Sequence, residues 1–217
     1  MNRVVVVVGG TSGIGKGIVD AFRDQGDKVF SIGRKNCNIV NKEEIDAYFG
    51  KFDNIDVLIN NAAINYCKTI NEISLEEWNQ VLSTNLTSYF YIIKKAINIM
   101  KSGAKIVNVS SIAGRSKSIV SGVHYTSSKA GVIGLTRQLS KELGPLGINI
   151  NCVCPSQTLT PMLKESMTKK QISELESKIP LRRLASVEEI VGPILFLCSK
   201  DASYIHGACI DVNGGQL

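Results

Sequence analysis

Five consecutive valines, Val4–Val8, run straight into Gly9-Gly10-Thr11-Ser12-Gly13-Ile14-Gly15. A continuous β-branched run marks a strand buried on both faces, as in a parallel sheet covered by helices. The glycines behind it permit positive φ and close approach of the backbone to a ligand. A helical pattern, Ile14–Gln25, follows and stops at Gly26. The turn therefore offers free N–H groups and the positive end of a helix dipole to a pyrophosphate. Strand, Gly-rich turn and helix in this order predict a dinucleotide site. Its candidate contacts are Gly9, Thr11, Ser12, Gly13 and Ile14.

The alternation continues along the chain. Strands are predicted at Lys28–Ile32, Asp56–Asn60, Lys105–Ser110, Ile148–Val153 and Ala208–Val212. Asn41 caps a helix through Phe49, with Glu44 as its partner. Ser74-x-x-Glu77 and Ser186-x-x-Glu189 are capping boxes. The first opens a helical pattern reaching Met100, the second one reaching about Cys198, and Tyr125–Leu143 is a further helix. The expected class is α/β, a doubly wound parallel sheet with helices on both faces. Residues 1–217 are expected to form one domain, with a polar segment at about 157–185 as a substrate flap.

Composition narrows the function. Hydrophobic residues make up 44% and charged residues 20%, which excludes a disordered chain. No apolar run approaches the roughly 18–20 residues of a membrane span, so no membrane partner is expected. Six cysteines are too few for a disulfide scaffold, which points to reduced thiols and a cytoplasmic setting. The net charge of +6 comes from scattered lysines without aromatic interleaving, so no nucleic-acid partner is expected.

The turn's spacing, Gly-x-x-x-Gly-x-Gly, resembles that of the short-chain dehydrogenase/reductase family, and further matches follow in the family's order. They are Asn60-Asn61-Ala62-Ala63, Asn85, Ser110-Ser111, Tyr125-x-x-x-Lys129, Pro155–Thr160 and Asp211-Val212-Asn213-Gly214-Gly215. The resemblance covers essentially the whole chain. It implies a Rossmann-like sheet of about seven strands and hydride transfer between a nicotinamide and a carbonyl or secondary alcohol. The implied catalytic residues are Asn85, Ser111, Tyr125 and Lys129, with Asn85 supporting a water-linked proton relay at a break in its helix. The implied cofactor contacts add Asn38, Ile39, Asn60, Ala62, Tyr125, Lys129, Pro155, Thr158 and Thr160. A homotetramer or homodimer is implied as well.

The chemistry also follows from the residues. Tyr125 and Lys129 share one helix face. An ammonium beside a phenol favours the phenolate, so Lys129 is expected to lower the Tyr125 pKa from about 10. Such a tyrosine exchanges the proton of a carbonyl/alcohol pair. Ser111 ends a parallel strand, where ligands of open α/β sheets bind, and its hydroxyl can hold the reacting oxygen. The second strand ends in Ser31-Ile32-Gly33-Arg34-Lys35, with no carboxylate to bind ribose hydroxyls. Arg34 offers a planar fork to a 2′-phosphate. NADP(H) is therefore the expected cofactor, with NAD(H) as the alternative. No resident metal is expected.

Several residues depart from the family's pattern. Val8 replaces a threonine, Ala63 and Ser156 replace glycines, and Asn38 replaces an aspartate. Pro193 inside the last helix should kink it. Family members are also longer. Only Lys35 and Asn36 separate Arg34 from Cys37-Asn38-Ile39-Val40, so one crossover helix is missing and a short third strand is expected at 37–40. Cys152 and Cys154 are expected on opposite faces of their strand, as packing thiols. Trp78 and His206 read as structural, and His124 as an ordinary surface or lining histidine. The substrate class stays open. Ser156, Gln157 and Thr158 suit a hydroxylated molecule, while Met162, Leu163 and Met167 suit an apolar one. The alternatives are an NAD-linked alcohol or sugar dehydrogenase and a dinucleotide-sensing regulator without catalysis.

Overall fold

The computed structural model describes residues 2–160, 163 and 167–217. Six parallel strands form one sheet in the order β2-β1-β3-β4-β5-β6. They are β1 (Val4–Val8), β2 (Lys28–Ile32), β3 (Val57–Asn60), β4 (Lys105–Val109), β5 (Asn149–Pro155) and β6 (Cys209–Val212). The helices are α1 (Gly13–Asp24), α2 (Lys42–Phe49), α3 (Leu75–Leu82), α4 (Ser88–Ala96), α5 (Val123–Leu143), α6 (Lys169–Glu176) and α7 (Val187–Leu197).

Side-chain alternation along β1 divides the core. Val5 and Val7 pack with Ile18 and Phe22 of α1 and Ile190 and Ile194 of α7. Val6 and Val8 pack on the other face with Ile45 of α2, Ile92 of α4 and Leu143 of α5. All four valines have no exposed surface, as a strand buried on both faces requires. The chain leaves β1 for β2 on one side, while β3 lies on the other. This switch point opens a crevice at the carboxyl ends of β1 and β3.

Three sequence expectations need correction. The sheet has six strands, because residues 37–40 form no strand. A parallel crossover takes a dozen or more residues, and only residues 33–40 separate β2 from the Asn41 cap. They close a turn instead: the Asn36 and Cys37 N–H groups donate to the Gly33 carbonyl at 3.0 and 3.1 Å. Next, Cys152 and Cys154 share one face, with Sγ atoms 4.0 Å apart, since two residues make a full strand period. Lastly, His124 is fully buried, and its Nδ1 accepts the Tyr125 N–H at 2.8 Å.

Both capping boxes form. Ser74 Oγ accepts the Glu77 N–H at 3.2 Å, and Ser186 Oγ accepts the Glu189 N–H at 3.3 Å. Helix α7 is continuous through Gly192-Pro193. His206 is structural: its Nδ1 accepts the Ile150 N–H at 3.2 Å, and its Nε2 lies 2.6 Å from the Ser140 carbonyl.

Candidate active site

The carboxyl ends of β1, β3, β4 and β5 open into one cleft of about 1690 Å³. Gly9 starts its floor. With φ at +80°, it sits in the region that favours glycine. A Cβ there would lie 2.6 Å from the Ala62 Cα, so the turn after β1 and the turn after β3 touch only because Gly9 has no side chain. Asn61 fixes this contact, donating from Nδ2 to the Gly9 carbonyl at 3.0 Å. The Ser12 side chain makes no capping bond at the start of α1, which leaves N–H groups of the first turn open to a ligand.

The catalytic candidates converge from three elements. Ser111 follows β4 and caps a single 3₁₀ turn, Ile112–Gly114, by accepting the Ala113 N–H at 3.1 Å. That turn lies hard against α5. A Cβ on Gly114 would meet the Lys129 carbonyl at 2.6 Å. The Ser111 hydroxyl stands near enough to the Tyr125 phenol to ease its ionisation. One helical turn on, Lys129 is buried and donates from Nζ to the Val109 carbonyl at 2.7 Å. The same ammonium stands 5.7 Å from the Tyr125 ring centre and 5.6 Å from that of Tyr89.

Asn85 lies in a π-helical stretch, Ser83–Thr87, joining α3 to α4. Its Oδ1 accepts the Ile64 N–H at 2.9 Å. Its Nδ2 donates to the Ile64 carbonyl at 2.9 Å and to Ser128 Oγ at 3.1 Å. Ser128 Oγ donates in turn to the Tyr125 carbonyl at 2.7 Å. The irregular helix thus ties the loop after β3 to α5. π-Bulges of this kind are frequent at functional sites.

Electrostatics here are set by burial. Desolvation pushes the Tyr125 phenol up, offset in part by the nearby Ser111 hydroxyl. Desolvation also pulls Lys129 down to about 8. Lys129 is therefore not the leading influence on the phenol that the sequence spacing suggested. The desolvated phenol loses more by shedding its proton than the ammonium over its ring returns.

The cleft gathers most of the sequence candidates. Gly9, Thr11, Ser12, Ile14, Arg34, Asn38, Ile39, Ala62, Ser111, Tyr125, Lys129, Pro155, Thr158 and Thr160 all line it. Gly13, Asn60 and Asn85 do not. Gly13 begins α1 beside it. Asn60 is buried between strands, donating to Asn108 Oδ1 at 2.9 Å. Asn85 stands behind the wall. Sequence reasoning missed Asn61, Tyr66 and Gln80 as lining residues. Asn61 lies inside the Asn60–Ala63 motif, whereas Tyr66 and Gln80 carry no motif. Met162 lies outside the described residues.

The pattern fits a dinucleotide phosphate. The charged side chains among the described lining residues are Arg34, Lys35 and Lys129, all positive, and no carboxylate joins them. Arg34 forms no ion pair among the described residues. No helix is long and apolar enough to cross a membrane among the described residues, and no cluster there could hold a metal ion.

Comparison with known proteins agrees with this geometry. The family model described as enoyl-(acyl carrier protein) reductase matches residues 35–216. A 3-oxoacyl-[acyl-carrier-protein] reductase of Buchnera aphidicola is 33% identical over 239 residues, 99% of this chain and 97% of its own. An acetoacetyl-CoA reductase of Acinetobacter is 40% identical over 164 residues, 74% of this chain and 65% of its own. The ligand-free structure of Thermoplasma acidophilum aldohexose dehydrogenase superposes with a TM-score of 0.92 at 30% identity, over 99% of this chain and 94% of that one. The structure of a glucose/ribitol dehydrogenase from Brucella melitensis gives 0.88 at 30% identity, over 100% and 97%. The chain belongs to the short-chain dehydrogenase/reductase family, as a nicotinamide-dependent oxidoreductase of the CH–OH/C=O pair.

Proposed function

We propose that the protein is an NADP(H)-dependent carbonyl reductase in which Tyr125 is the general acid. The observation that carries this reading is the convergence of Ser111, Tyr125 and Lys129 at the carboxyl edge of the sheet. When bound, the nicotinamide exchanges hydride with the substrate carbon. The chain's own residues handle the oxygen. The Ser111 hydroxyl holds it in place, and the Tyr125 phenol gives it a proton. Burial keeps that phenol protonated at neutral pH, which suits the acid role in reduction. Lys129 keeps a positive charge behind the ring, and Asn85 with Ser128 holds the start of α5 in register with the loop after β3.

The Gly9 turn and the N-terminus of α1 would take the pyrophosphate, and Asn38, Ile39 and Ala62 the adenosine side. Arg34 would pair with the 2′-phosphate through its planar fork. Pro155, Thr158 and Thr160 would flank the nicotinamide. Residues 157–185, of which 161, 162 and 164–166 lie outside the described residues, would act as a flap over a small-molecule carbonyl or alcohol, within one domain of 1–217. All six cysteines are free, consistent with a cytoplasmic setting. A homotetramer or homodimer is favoured by Phe90 of α4, Phe196 of α7 and Tyr204, all exposed.

The test is oxidation of NADPH and NADH over a panel of aldehydes, ketones and 3-oxoacyl thioesters. Turnover with NADPH at a higher kcat/KM than with NADH is expected. Tight cofactor binding without turnover of any carbonyl would mean a sensor instead.

A further inference from the structure

Among the described residues, the substrate half of the cleft offers several polar side chains and no free charge. Of the three charged lining residues, Arg34 and Lys35 stand at the adenosine end, and Lys129 is committed to the Val109 carbonyl. Near Tyr125 the wall sets hydroxyls and amides beside Ala63 and Ile64. Tyr66 belongs to it: its carbonyl accepts the Gly122 N–H at 3.1 Å, and its ring lies 6.0 Å from that of His124. The Tyr66 phenol donates to Gln80 Oε1 at 3.3 Å, and both line the cleft. Bonded through its Oε1 alone among the described residues, Gln80 leaves two amide N–H donors for a guest.

The opposite wall repeats this chemistry. Ser156 stands directly after Pro155, and its Oγ lies 2.7 Å from Gln157 Oε1 and within hydrogen-bond distance of Gln216 Oε1. A hydroxyl has one hydrogen, so it donates to one amide and accepts from the other, turned to present its NH₂. Of these three residues Ser156 lines the cleft, and the two amides hold its hydroxyl in place there.

Apolar side chains of the flap that could have received an acyl chain are used elsewhere. Leu159, Leu163, Met167 and Ile172 pack onto Leu175 and Ile179 beneath the flap, and none of them lines the cleft. These four residues thus pack on their own cluster rather than on a guest.

We propose that the substrate is an uncharged, short polyhydroxylated carbonyl, an aldose or ketose interconverted with its polyol, with Tyr66, Gln80 and Ser156 as specificity-determining residues. This rests on the carbonyl-reductase reading above. A bare alkyl chain would leave these polar groups without partners, a cost that makes hydrogen-bonding sites selective. A phosphorylated sugar would bring a dianion to a wall with no cation to meet it.

The experiment compares kcat/KM for D-fructose, D-xylose and, in the reverse direction, xylitol and D-sorbitol against acetoacetyl-CoA, 2-octanone and D-fructose 6-phosphate. At least one neutral polyhydroxylated compound should exceed all three comparators by about tenfold or more. Gln80 is exposed, so Gln80→Leu leaves the core intact. That variant should lower the preference for the sugar over 2-octanone by about tenfold. Calorimetry of the best polyol against the NADP⁺-loaded protein should show the same loss of binding. Preference for acetoacetyl-CoA, 2-octanone or the sugar phosphate overturns the inference and leaves the reductase reading standing. Turnover of nothing overturns the reductase reading. Polyol binding weakened by Gln80→Leu would then still support this substrate class, and absent binding would end it.

Discussion

At one end of the cleft, Lys129 and Asn85 are buried, and each is hydrogen-bonded to the backbone of another element. At the other, Arg34, Lys35 and Asn38 stand exposed on the short turn between β2 and α2. The first end is preorganised, its groups held where water does not weaken their fields. The second acts by charge and backbone shape in solvent, where salt screens attraction over roughly 8–10 Å. On the proposed function, chemistry and affinity are thereby separated in space. Damage at the braced end should appear in kcat, and damage at the exposed end in KM for the cofactor.

The largest break in this comparison is Tyr125→Phe. Removing the proton donor while keeping the ring should lower kcat about 10²- to 10⁴-fold. NADPH affinity, read by fluorescence titration, should stay close to that of the parent protein. Turnover near the parent level would remove Tyr125 from the mechanism.

Next in size is Arg34→Ala. Removing a charge-assisted bidentate hydrogen bond at an exposed position should raise KM for NADPH about 10- to 100-fold, with kcat little changed. Constants for NADH should not move, and added salt should weaken NADPH binding less in the variant than in the parent. An equal loss for both cofactors would assign Arg34 to the pyrophosphate rather than the 2′-phosphate.

The pH profile sharpens the braced end. Burial holds Lys129 at about 8. It is charged below that value and loses its proton above it. Reduction at saturating cofactor and substrate should therefore hold level near pH 7 and decline through pH 8, approaching about tenfold per unit beyond. Tyr125, pushed up by burial, remains protonated across this range, so the limb belongs to Lys129. A profile level beyond pH 9 would show that the lysine charge is not needed for the proton step.

How much of this was legible in the sequence depended on the range of the interaction. Val4–Val8, the Gly turn and the two capping boxes are local signals, and each appears in the structure where its residues stand. The missing crossover was legible from residue count, but the loss of its strand was not. It required the Asn36 and Cys37 N–H groups to turn back onto Gly33. The Tyr125 and Lys129 pair was legible from helical spacing, while the direction of the phenol's shift was not, since desolvation depends on how the β4 and 3₁₀ segments close over it. Tyr66 and Gln80 were invisible because they are 14 positions apart and meet only through the loop after β3.

The smallest expected effect tests what replaced the absent strand. Lys28 N–H and the Ile32 carbonyl are used in pairing with the β1 side, so Ser31 between them turns its backbone to the open edge of the sheet. Asn36 answers it: Nδ2 donates to the Ser31 carbonyl at 2.8 Å, and Oδ1 accepts the Gly33 N–H at 2.8 Å. One side chain thus closes the edge of β2 and sets the turn that carries Arg34. Both bonds are exposed, and water replaces much of what is removed. Asn36→Ala should therefore cost about 1 kcal/mol of stability in a denaturant melt. Because the turn loosens where Arg34 departs, KM for NADPH should rise about two- to fivefold, with kcat unchanged. Saturating NADPH should restore part of the stability, since a ligand of the folded state draws the equilibrium toward it. If stability and KM both stay at parent values, the buried Cys37 side chain and the Gly33 carbonyl hold the turn by themselves, and the exposed end is more rigid than its surface suggests.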